Sequence, residues 1–431
     1  MGCEDAPMTS PATIDLNSND PADREIQQCP FGHYATLRAD GGVFYDNKSE
    51  MYFASRHDVV NRILRDTETF SSEGSNAKST GSPEVMAQVA EIMAQGWPTA
   101  GTMLTIDPPH QTRYRKLVSR IFSARRIAGL EDTIREIAVD LIEQFPDEGP
   151  VDFHDDFASR LPVAVIHRTL NMAPHTFDKI KYWTWASSLT LGAAPSDEDR
   201  LEGARRRIEA QQYWHEEYLD RLENPGDDIL SSLVHADFAD PDLPEDETRK
   251  LDFPEVYGIV RQLMVAGNDS TTKFLDETMR LLIENPRWWA QMENDPAGTI
   301  NGLVEEGLRV GSPNQGLFRT VTRDVELDGV TVPAGSTVWV MFASANRDED
   351  VFADPEVFDA SRDNLKEHVA FGKGHHFCIG APLSRLEGKV AFEELVKSLK
   401  LPTFREDNTF EYEPSFILRG LDHLNLNVEK R

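Results

Sequence analysis

Apolar residues recur at helical spacing through most of the chain. In segments 130–145, 161–172 and 198–225 they fall three and four positions apart, which places them on one face of a helix. The longest such segment runs from about Pro254, a residue favoured in the first turn of a helix, to the position before Pro286. These patterns predict a chain that is mostly helical.

Alternating apolar and polar positions predict a smaller number of strands. They occur near the N-terminus, where segment 29–46 reads as a short helix followed by a strand and 51–56 as the next strand, and again at 318–342, where β-branched residues alternate with polar ones. Residues 71–106 follow neither period, and we predict a long irregular loop there. Because such loops are uncommon in compact domains and often functional, we expect this one to cover a ligand.

Composition narrows the class of protein. The chain has 74 acidic and 44 basic side chains, a net charge of −30, which argues against nucleic acid as a partner. Its three cysteines are too few for a disulfide framework, and no apolar run is long enough for a membrane span, so we expect a cytoplasmic protein. Residues 1–24 are polar and are predicted to be a disordered tail, followed by a single domain over 25–431.

Cys378 lies in a glycine-rich stretch, FGKGHHFCIG, at 371–380. A zinc site with His368, His375 and His376 is one interpretation, but no second cysteine lies near. A reactive thiol with an adjacent histidine as base is another. Neither explains the glycines, which let the backbone approach a flat group. A thiolate is also the axial ligand that promotes O–O cleavage at haem iron.

The spacing Phe-Gly-x-Gly-x-His-x-Cys-x-Gly resembles the haem-binding signature of cytochrome P450s at every defining position. The resemblance implies haem b with Cys378 as the axial thiolate ligand, Phe371 beside the sulfur and His376 on a haem propionate. Gly372 and Gly380 would belong to the cofactor-binding turn. The implied fold is mainly α (α+β), with a large helical domain and a smaller β-rich region near the N-terminus.

A second resemblance lies upstream, in an apolar helical segment. Glu306 and Arg309 match the ExxR motif of the family, which implies a buried ion pair rather than the exposed i,i+3 pair that such spacing usually means. The family often adds a further arginine at a position where this chain has Val357. The sequence leaves open whether Arg347 or Arg362 takes its place.

The resemblance also implies residues that bind the haem propionates, which are anions and need cationic or hydrogen-bonding partners. Gln111 and Arg115 are four apart and share a helix face, although the family more often has His at the first position. Arg319, in a predicted strand, matches an arginine used for the second propionate.

The middle of the long helix resembles the oxygen-activation segment A-G-x-D/E-T-T of the family. Ala266 and Gly267 would leave room for O₂, while Asp269 with Ser270 or Thr271 would deliver protons. Serine stands where threonine is usual, and it lacks the β-branch that fixes the side-chain rotamer.

The implied activity is that of a monooxygenase acting on a hydrophobic small molecule of terpenoid, steroid or alkyl-aromatic type. Most residues that the fold would bring over the iron are apolar, while the two amides could orient a polar group of the substrate. The predicted pocket residues are Trp97, Leu189, Val265, Ala266, Asn314, Gln315 and Phe416.

Electrons must come from a separate donor, because the chain has no flavin, dinucleotide or iron–sulfur motif. The resemblance implies a ferredoxin and its reductase, docking through a local basic patch. The candidates for that patch are Arg113, Lys116, Arg120, Lys373 and His375. Two other classes stay open: a haem-thiolate peroxygenase or isomerase that does not use O₂, and a non-enzymatic haem sensor. The acid–alcohol pair of the long helix argues against both.

Overall fold

The structure is a computed structural model that describes residues 23–74, 81–189, 195–244 and 247–431. Its helices are α1 Arg24–Gln28, α2 Phe31–Asp40, α3 His57–Arg65, α4 Pro83–Met93, α5 His110–Ile121, α6 Ala124–Ala128, α7 Glu131–Glu143, α8 Arg160–Thr169, α9 Phe177–Ser188, α10 Asp197–Glu223, α11 Ile229–Val234, α12 Phe253–Glu284, α13 Pro286–Asn294, α14 Pro296–Gly311, α15 Phe342–Ala345 and α16 Ala381–Ser398.

The strands are β1 Val43–Asp46, β2 Met51–Ala54, β3 Phe70–Ser71, β4 Glu148–Asp152, β5 Leu317–Val321, β6 Val325–Leu327, β7 Val330–Val332, β8 Thr337–Val340, β9 Thr403–Phe404 and β10 Asn425–Glu429. Positions 1–22 of the predicted tail lie outside the described residues. Its last two positions do not: the Asp23 carboxylate accepts a hydrogen bond from the Glu25 amide and so caps α1.

The chain divides into two compact units. The single domain expected over 25–431 therefore stays a prediction. The first, here the sheet unit, comprises the described residues up to Phe70 together with Leu130–Pro162 and Ser270–Arg431. The second, here the helical unit, comprises Ser71–Gly129 and Val163–Asp269. Helix content dominates, and the expectation of a mainly α fold with a smaller sheet region is confirmed.

The main sheet has the strand order β1-β2-β8-β5-β3. β1 and β2 form an antiparallel pair, β2 runs parallel to β8 with Phe53 opposite Trp339, and β8 is antiparallel to β5. Val60 and Ile63 of α3 belong to the apolar core packed on this sheet. The sheet therefore joins the N-terminal strands to the late strand segment, and it fixes Arg319 in β5.

The prediction of an irregular loop over 71–106 is wrong for 83–93, which form α4. The Ser82 hydroxyl accepts a hydrogen bond from the Val85 amide, Pro83 occupies the first turn and Glu84 is acidic there. Ser-Pro-Glu is a sequence signal for a helix start. Positions 75–80 of the same segment lie outside the described residues.

The prediction of one long helix from about Pro254 to Asn285 is confirmed by α12. Its polar middle stays helical. No helix in the described part of the chain is both long and apolar enough to cross a membrane.

Candidate active site

The turn before α16 fixes Cys378 through its backbone. The Cys378 amide donates to the carbonyl of Phe371 at 2.9 Å, which closes the loop on itself. Gly372 and Gly374 have φ of +65° and +67°, in the left-handed region that favours glycine. A Cβ atom at Gly374 would lie 2.4 Å from the Leu64 carbonyl oxygen, so no larger residue fits. The result is a rigid turn that presents a partly exposed thiol.

The zinc interpretation of this turn is not supported. His368 lies against Glu305 instead, with its Nε2 2.8 Å from the carboxylate. Among the described residues, two sets of three potential ligands converge closely enough for a metal ion, and neither includes Cys378. They are His110 with Asp240 and Asp242, and Asp152 with Asp155 and His423.

Glu306 and Arg309 form a buried ion pair on α14, as predicted. Both side chains are completely buried, and two guanidinium nitrogens of Arg309 donate to the carboxylate at 2.7 and 2.8 Å. Arg309 also donates to the carbonyls of Asn346 and Pro355, at 2.8 Å each. The pair therefore ties α14 to the segment that leads toward the cysteine turn.

Arg362 is the third member of this cluster. Its Nε lies 3.1 Å from Glu306 Oε1, whereas Arg347 pairs with Glu356 and donates to the Val310 carbonyl. Val357, which stands where the family often has arginine, is half exposed. The substitute that the sequence left open is thus Arg362, reaching the same carboxylate from five residues later in the chain.

The predicted propionate ligands lie in both units. In the sheet unit, Arg319 is buried on β5, and His376 is half-buried at the end of a short 3₁₀ turn. In the helical unit, Gln111 and Arg115 lie one turn apart on α5. Gln111 is completely buried, so Arg115 is the more accessible of the two.

The oxygen-activation segment keeps a polar side chain in contact with another helix. The Ser188 hydroxyl, at the end of α9, donates to Asp269 Oδ2 at 2.5 Å. Sequence reasoning missed Ser188, because nothing in its local sequence distinguishes it from other helical serines. Ala266 is exposed directly after three buried residues of α12, and an added Cβ at Gly267 would meet no atom within 4 Å. Open space therefore adjoins these two small residues.

Thr271 faces a different partner, in the sheet unit. Its hydroxyl hydrogen-bonds the carboxyl group of Glu387 on α16. Burial of Glu387 raises its pKa to about 8, and the bond from Thr271 lowers it only in part. Glu387 thus holds a proton at neutral pH inside the core.

Three further predicted pocket residues, Trp97, Leu189 and Val265, lie in the helical unit. Trp97 stacks on His215, with 4.2 Å between ring centroids, and meets Phe253 edge-on at 4.9 Å. Leu189 packs against Gly203 of α10, where an added Cβ would lie 2.8 Å from the leucine methyl group. Val265 is buried on α12.

In the sheet unit, the Gln315 side chain is buried and hydrogen-bonded, and its contact with substrate stays a prediction. It is 1% exposed, accepts a hydrogen bond from the Tyr34 hydroxyl at 3.0 Å and donates to the Ser312 carbonyl at 2.6 Å. The Asn314 side-chain oxygen accepts from the Gly316 amide. Phe416 is half-buried and lies edge-on to Trp339 and Phe318.

Comparison with known proteins decides the family. The family model for cytochrome P450 matches residues 202–420. This chain belongs to the cytochrome P450 family. It is 35% identical to cytochrome P450 107B1 of Saccharopolyspora erythraea over 75% of this chain and 76% of that protein. It is 33% identical to the erythromycin C-12 hydroxylase of the same organism over 90% and 92%.

The fold agrees with solved members of the family. The structure of cytochrome P450 CYP109Q5 from Chondromyces apiculatus superposes with a TM-score of 0.82 at 30% identity, covering 96% of this P450 and 99% of that chain. Members of the family are oxidoreductases that bind haem through a cysteine thiolate, and this P450 is a monooxygenase of that family.

The residues of this P450 fit haem. Its glycine turn admits close backbone approach and holds one partly exposed thiol. Arg319 of the sheet unit is a cationic side chain of the kind that a haem propionate needs, and so is Arg115 of the helical unit, each taken by itself. A soft thiolate such as that of Cys378 is the ligand that haem-thiolate binding requires.

Proposed function

We propose that this P450 hydroxylates a hydrophobic small molecule, with Cys378 as the axial thiolate and Asp269 and Ser270 as the proton-delivery pair. The observation that carries the proposal is the cysteine turn, in which the Cys378 amide is tied to Phe371 and two glycines adopt left-handed backbone. Haem, when bound by a thiolate, supplies the cleavage of the O–O bond and the oxidation of an unactivated C–H bond.

The turn has to keep the sulfur ionised and aligned. Phe371 packs in this turn, and the Arg385 guanidinium lies 4.6 Å from its ring centroid. Arg385 is itself held by Glu305, with nitrogen–oxygen distances of 2.5 and 3.0 Å. This support fixes the aromatic ring, and the fixed ring limits movement of the loop that carries the thiolate.

Proton delivery needs an acid next to a hydroxyl. The hydrogen bond from Ser188 holds the Asp269 carboxylate in one orientation on α12. Ser270 follows Asp269 directly in the chain, and we assign it as the alcohol that orders water beside this acid. An acid–alcohol pair is of no use to a haem sensor or to an isomerase without O₂, which favours the monooxygenase over both.

A ferredoxin is the electron donor that we propose. Arg113, Lys116 and Arg120 are exposed on one side of α5, and none of them forms an ion pair within the described residues. Lys373 and His375 lie in the cysteine turn. On a protein with a net charge of −30, the basic face of α5 would by itself attract an acidic partner and orient it.

The substrate that we propose is apolar over most of its surface, since the predicted pocket residues of the helical unit are apolar: Val265 is buried, Leu189 packs at Gly203 and Trp97 meets Phe253 edge-on. Hydroxylation is favoured as the reaction because a relative that covers most of the chain is named a hydroxylase of erythromycin.

The test is the spectrum of the reduced, carbon-monoxide-bound protein. A band near about 450 nm is expected for thiolate-ligated haem. Cys378→Ser should lose that band, and its persistence would refute the ligand assignment. Asp269→Asn should keep the band but slow oxygen consumption coupled to product. Unchanged turnover would show that protons arrive by another route.

A further inference from the structure

Two arginines of the helical unit, Arg207 on α10 and Arg261 on α12, have no acidic partner. Neither forms an ion pair with any carboxylate in the described ranges. Arg207 donates one long hydrogen bond, 3.4 Å, to the Gly203 carbonyl. The Nε of Arg261 is buried with no hydrogen-bond partner among the described residues. In a chain with 74 acidic side chains, two neighbouring arginines that lack any acid are unexpected.

The adjacent arginines of α10 show the contrast. Arg205 and Arg206 both reach Glu202, at 3.3 and 2.8 Å, and Arg206 also reaches Glu209 at 3.2 Å. Arg207 points to another side of the helix. Its lack of a carboxylate therefore reflects its surroundings and not a shortage of acids nearby in the sequence.

Contacts along the two helices bring Arg207 and Arg261 together. His215 of α10 lies against Phe253 of α12, with 4.8 Å between ring centroids. Arg207 lies eight residues before His215 on α10, and Arg261 lies eight residues after Phe253 on α12. Tyr257, buried between these levels, interacts electrostatically with both guanidinium groups.

The electrostatics of this pair are unfavourable as they stand. Burial lowers the pKa of Arg207, and the positive charge of Arg261 lowers it further, while Tyr257 opposes the shift. Two like charges held partly out of water cost free energy unless an anion lies between them. Guanidinium groups bind carboxylate and phosphate oxygens through two parallel hydrogen bonds, so an oxyanion is the ligand that suits them.

The pair lies near the oxygen-activation segment. Along α12, Arg261 precedes Ala266 by five residues and Asp269 by eight, which at 1.5 Å per residue is about 8 and about 12 Å. On α10, Gly203 is one turn before Arg207 and touches Leu189, the neighbour of the serine that holds Asp269. The end of α9, the first half of α10 and the middle of α12 thus lie around one region of the helical unit.

We propose that Arg207 and Arg261, with Tyr257, form a subsite for an anionic oxygen group of the substrate, either a carboxylate or a phosphate monoester. The substrate is then an amphiphile with an apolar body whose oxidised carbon lies about 8 to 12 Å from its anionic group, as the helix rise sets. The position of that carbon rests on the proposed function; the anion subsite does not.

The test is calorimetric titration of the holoenzyme with three probes that share a ten-carbon chain: decanoate, decyl phosphate and 1-decanol. We expect the favoured anion to bind at least about tenfold more tightly than the alcohol, since hydrogen bonds to charged groups are worth that much. Arg207→Gln and Arg261→Gln should each remove most of this advantage and leave 1-decanol binding unchanged. The matched control Arg205→Gln removes an exposed, paired arginine of the same helix and should change nothing.

Decanoate against decyl phosphate identifies which anionic group the subsite takes. The proposal is overturned if neither anion binds better than 1-decanol, or if the advantage survives in both variants. Should a variant fail to fold, the wild-type protein still decides: the advantage of the anion must shrink as salt is raised, and a salt-independent advantage also overturns the subsite. The carbon-monoxide spectrum of the same samples separates the two proposals. Loss of the thiolate band with the anion advantage intact would refute only the proposed function.

Discussion

Arg362 should be essential to the stability of the haem-side core, although it stands outside the ExxR motif. Its side chain is 9% exposed, and its Nε approaches a Glu306 carboxylate that is completely buried. It also donates to the carbonyls of Ala353, Asp354 and Val357. Arg362→Gln therefore removes one of the two cations on a buried anion and several donors to a tight loop.

The expected loss of stability depends on which hydrogen-bond and charge partners Glu306 retains in the variant. Removing one partner of a buried ion pair costs about 3–5 kcal/mol when the other charge is left alone. Glu306 keeps Arg309 and the Asp359 amide, at 2.8 Å, in this variant, so we expect about 2–4 kcal/mol of lost stability. Arg309→Gln should cost more, because Arg309 is completely buried and donates two hydrogen bonds to Glu306, whereas Arg362 donates one.

Urea unfolding, followed by circular dichroism and by the haem band, measures both variants. Arg405→Gln is the control, since it breaks an exposed pair with Asp407 and should cost at most about 1 kcal/mol. An Arg362→Gln protein as stable as this control would refute the assignment of Arg362 to the buried cluster. A loss for Arg347→Gln that exceeds the loss for Arg362→Gln, with Arg309 intact, would assign the third position to Arg347 instead.

The pKa of Glu387 is raised to about 8, against a usual 4.5. Between these two pH values the folded protein keeps a proton that the unfolded chain releases. The free energy of unfolding should therefore fall as pH rises from about 4.5 to about 8. Glu387→Gln should remove that part of the pH dependence in urea unfolding, and an unchanged slope would contradict the burial of a protonated acid. Ser188→Ala removes the hydrogen bond that orients Asp269 but keeps the acid, so we expect some uncoupling, measured as hydrogen peroxide released per O₂ consumed. The effect should be smaller than in Asp269→Asn, and the carbon-monoxide spectrum should not change. Equal coupling in Ser188→Ala and wild type would show that this hydrogen bond does not position the acid. Thr271→Val removes a hydroxyl that serves Glu387, so it should uncouple the reaction less than Ser270→Ala does, and the reverse order would reassign the alcohol.

Local sequence signals predicted the elements well where one feature dominated. The apolar period gave α7, α10 and α12 close to their observed bounds, and β-branched alternation located β5 and β8. The apolar pattern of α4 is too weak to predict a helix, whereas its Ser-Pro-Glu start is a helix signal. Capping chemistry was the stronger signal there, since a satisfied first turn stabilises a helix whose own period is indistinct.

Gln315 has a hydrogen-bond partner that its neighbours in the sequence do not predict. Its side chain accepts a hydrogen bond from a hydroxyl of α2, 281 residues earlier in the chain. A buried amide must find donors and acceptors, and whichever partner the fold brings nearest takes it. Nothing in the sequence around position 315 predicts the hydrogen bond from Tyr34.

The same reasoning explains why the functional motifs could be predicted while their supports could not. A motif such as the cysteine turn or the Glu306–Arg309 pair is local, so the spacing of its members is visible in the chain. Arg362 and Ser188 act across 56 and 81 residues, and they are chosen by the packing that brings α14 and α12 against other segments. A buried carboxylate needs a cationic partner, but the partner need not come from a fixed position in the chain. Here Arg362 pairs with Glu306, and Val357 stands at the position where the family often has arginine. Variants of Arg362 and Ser188 therefore test contacts that only the packing of the fold creates. Variants of Cys378 test a motif that is already visible in the sequence.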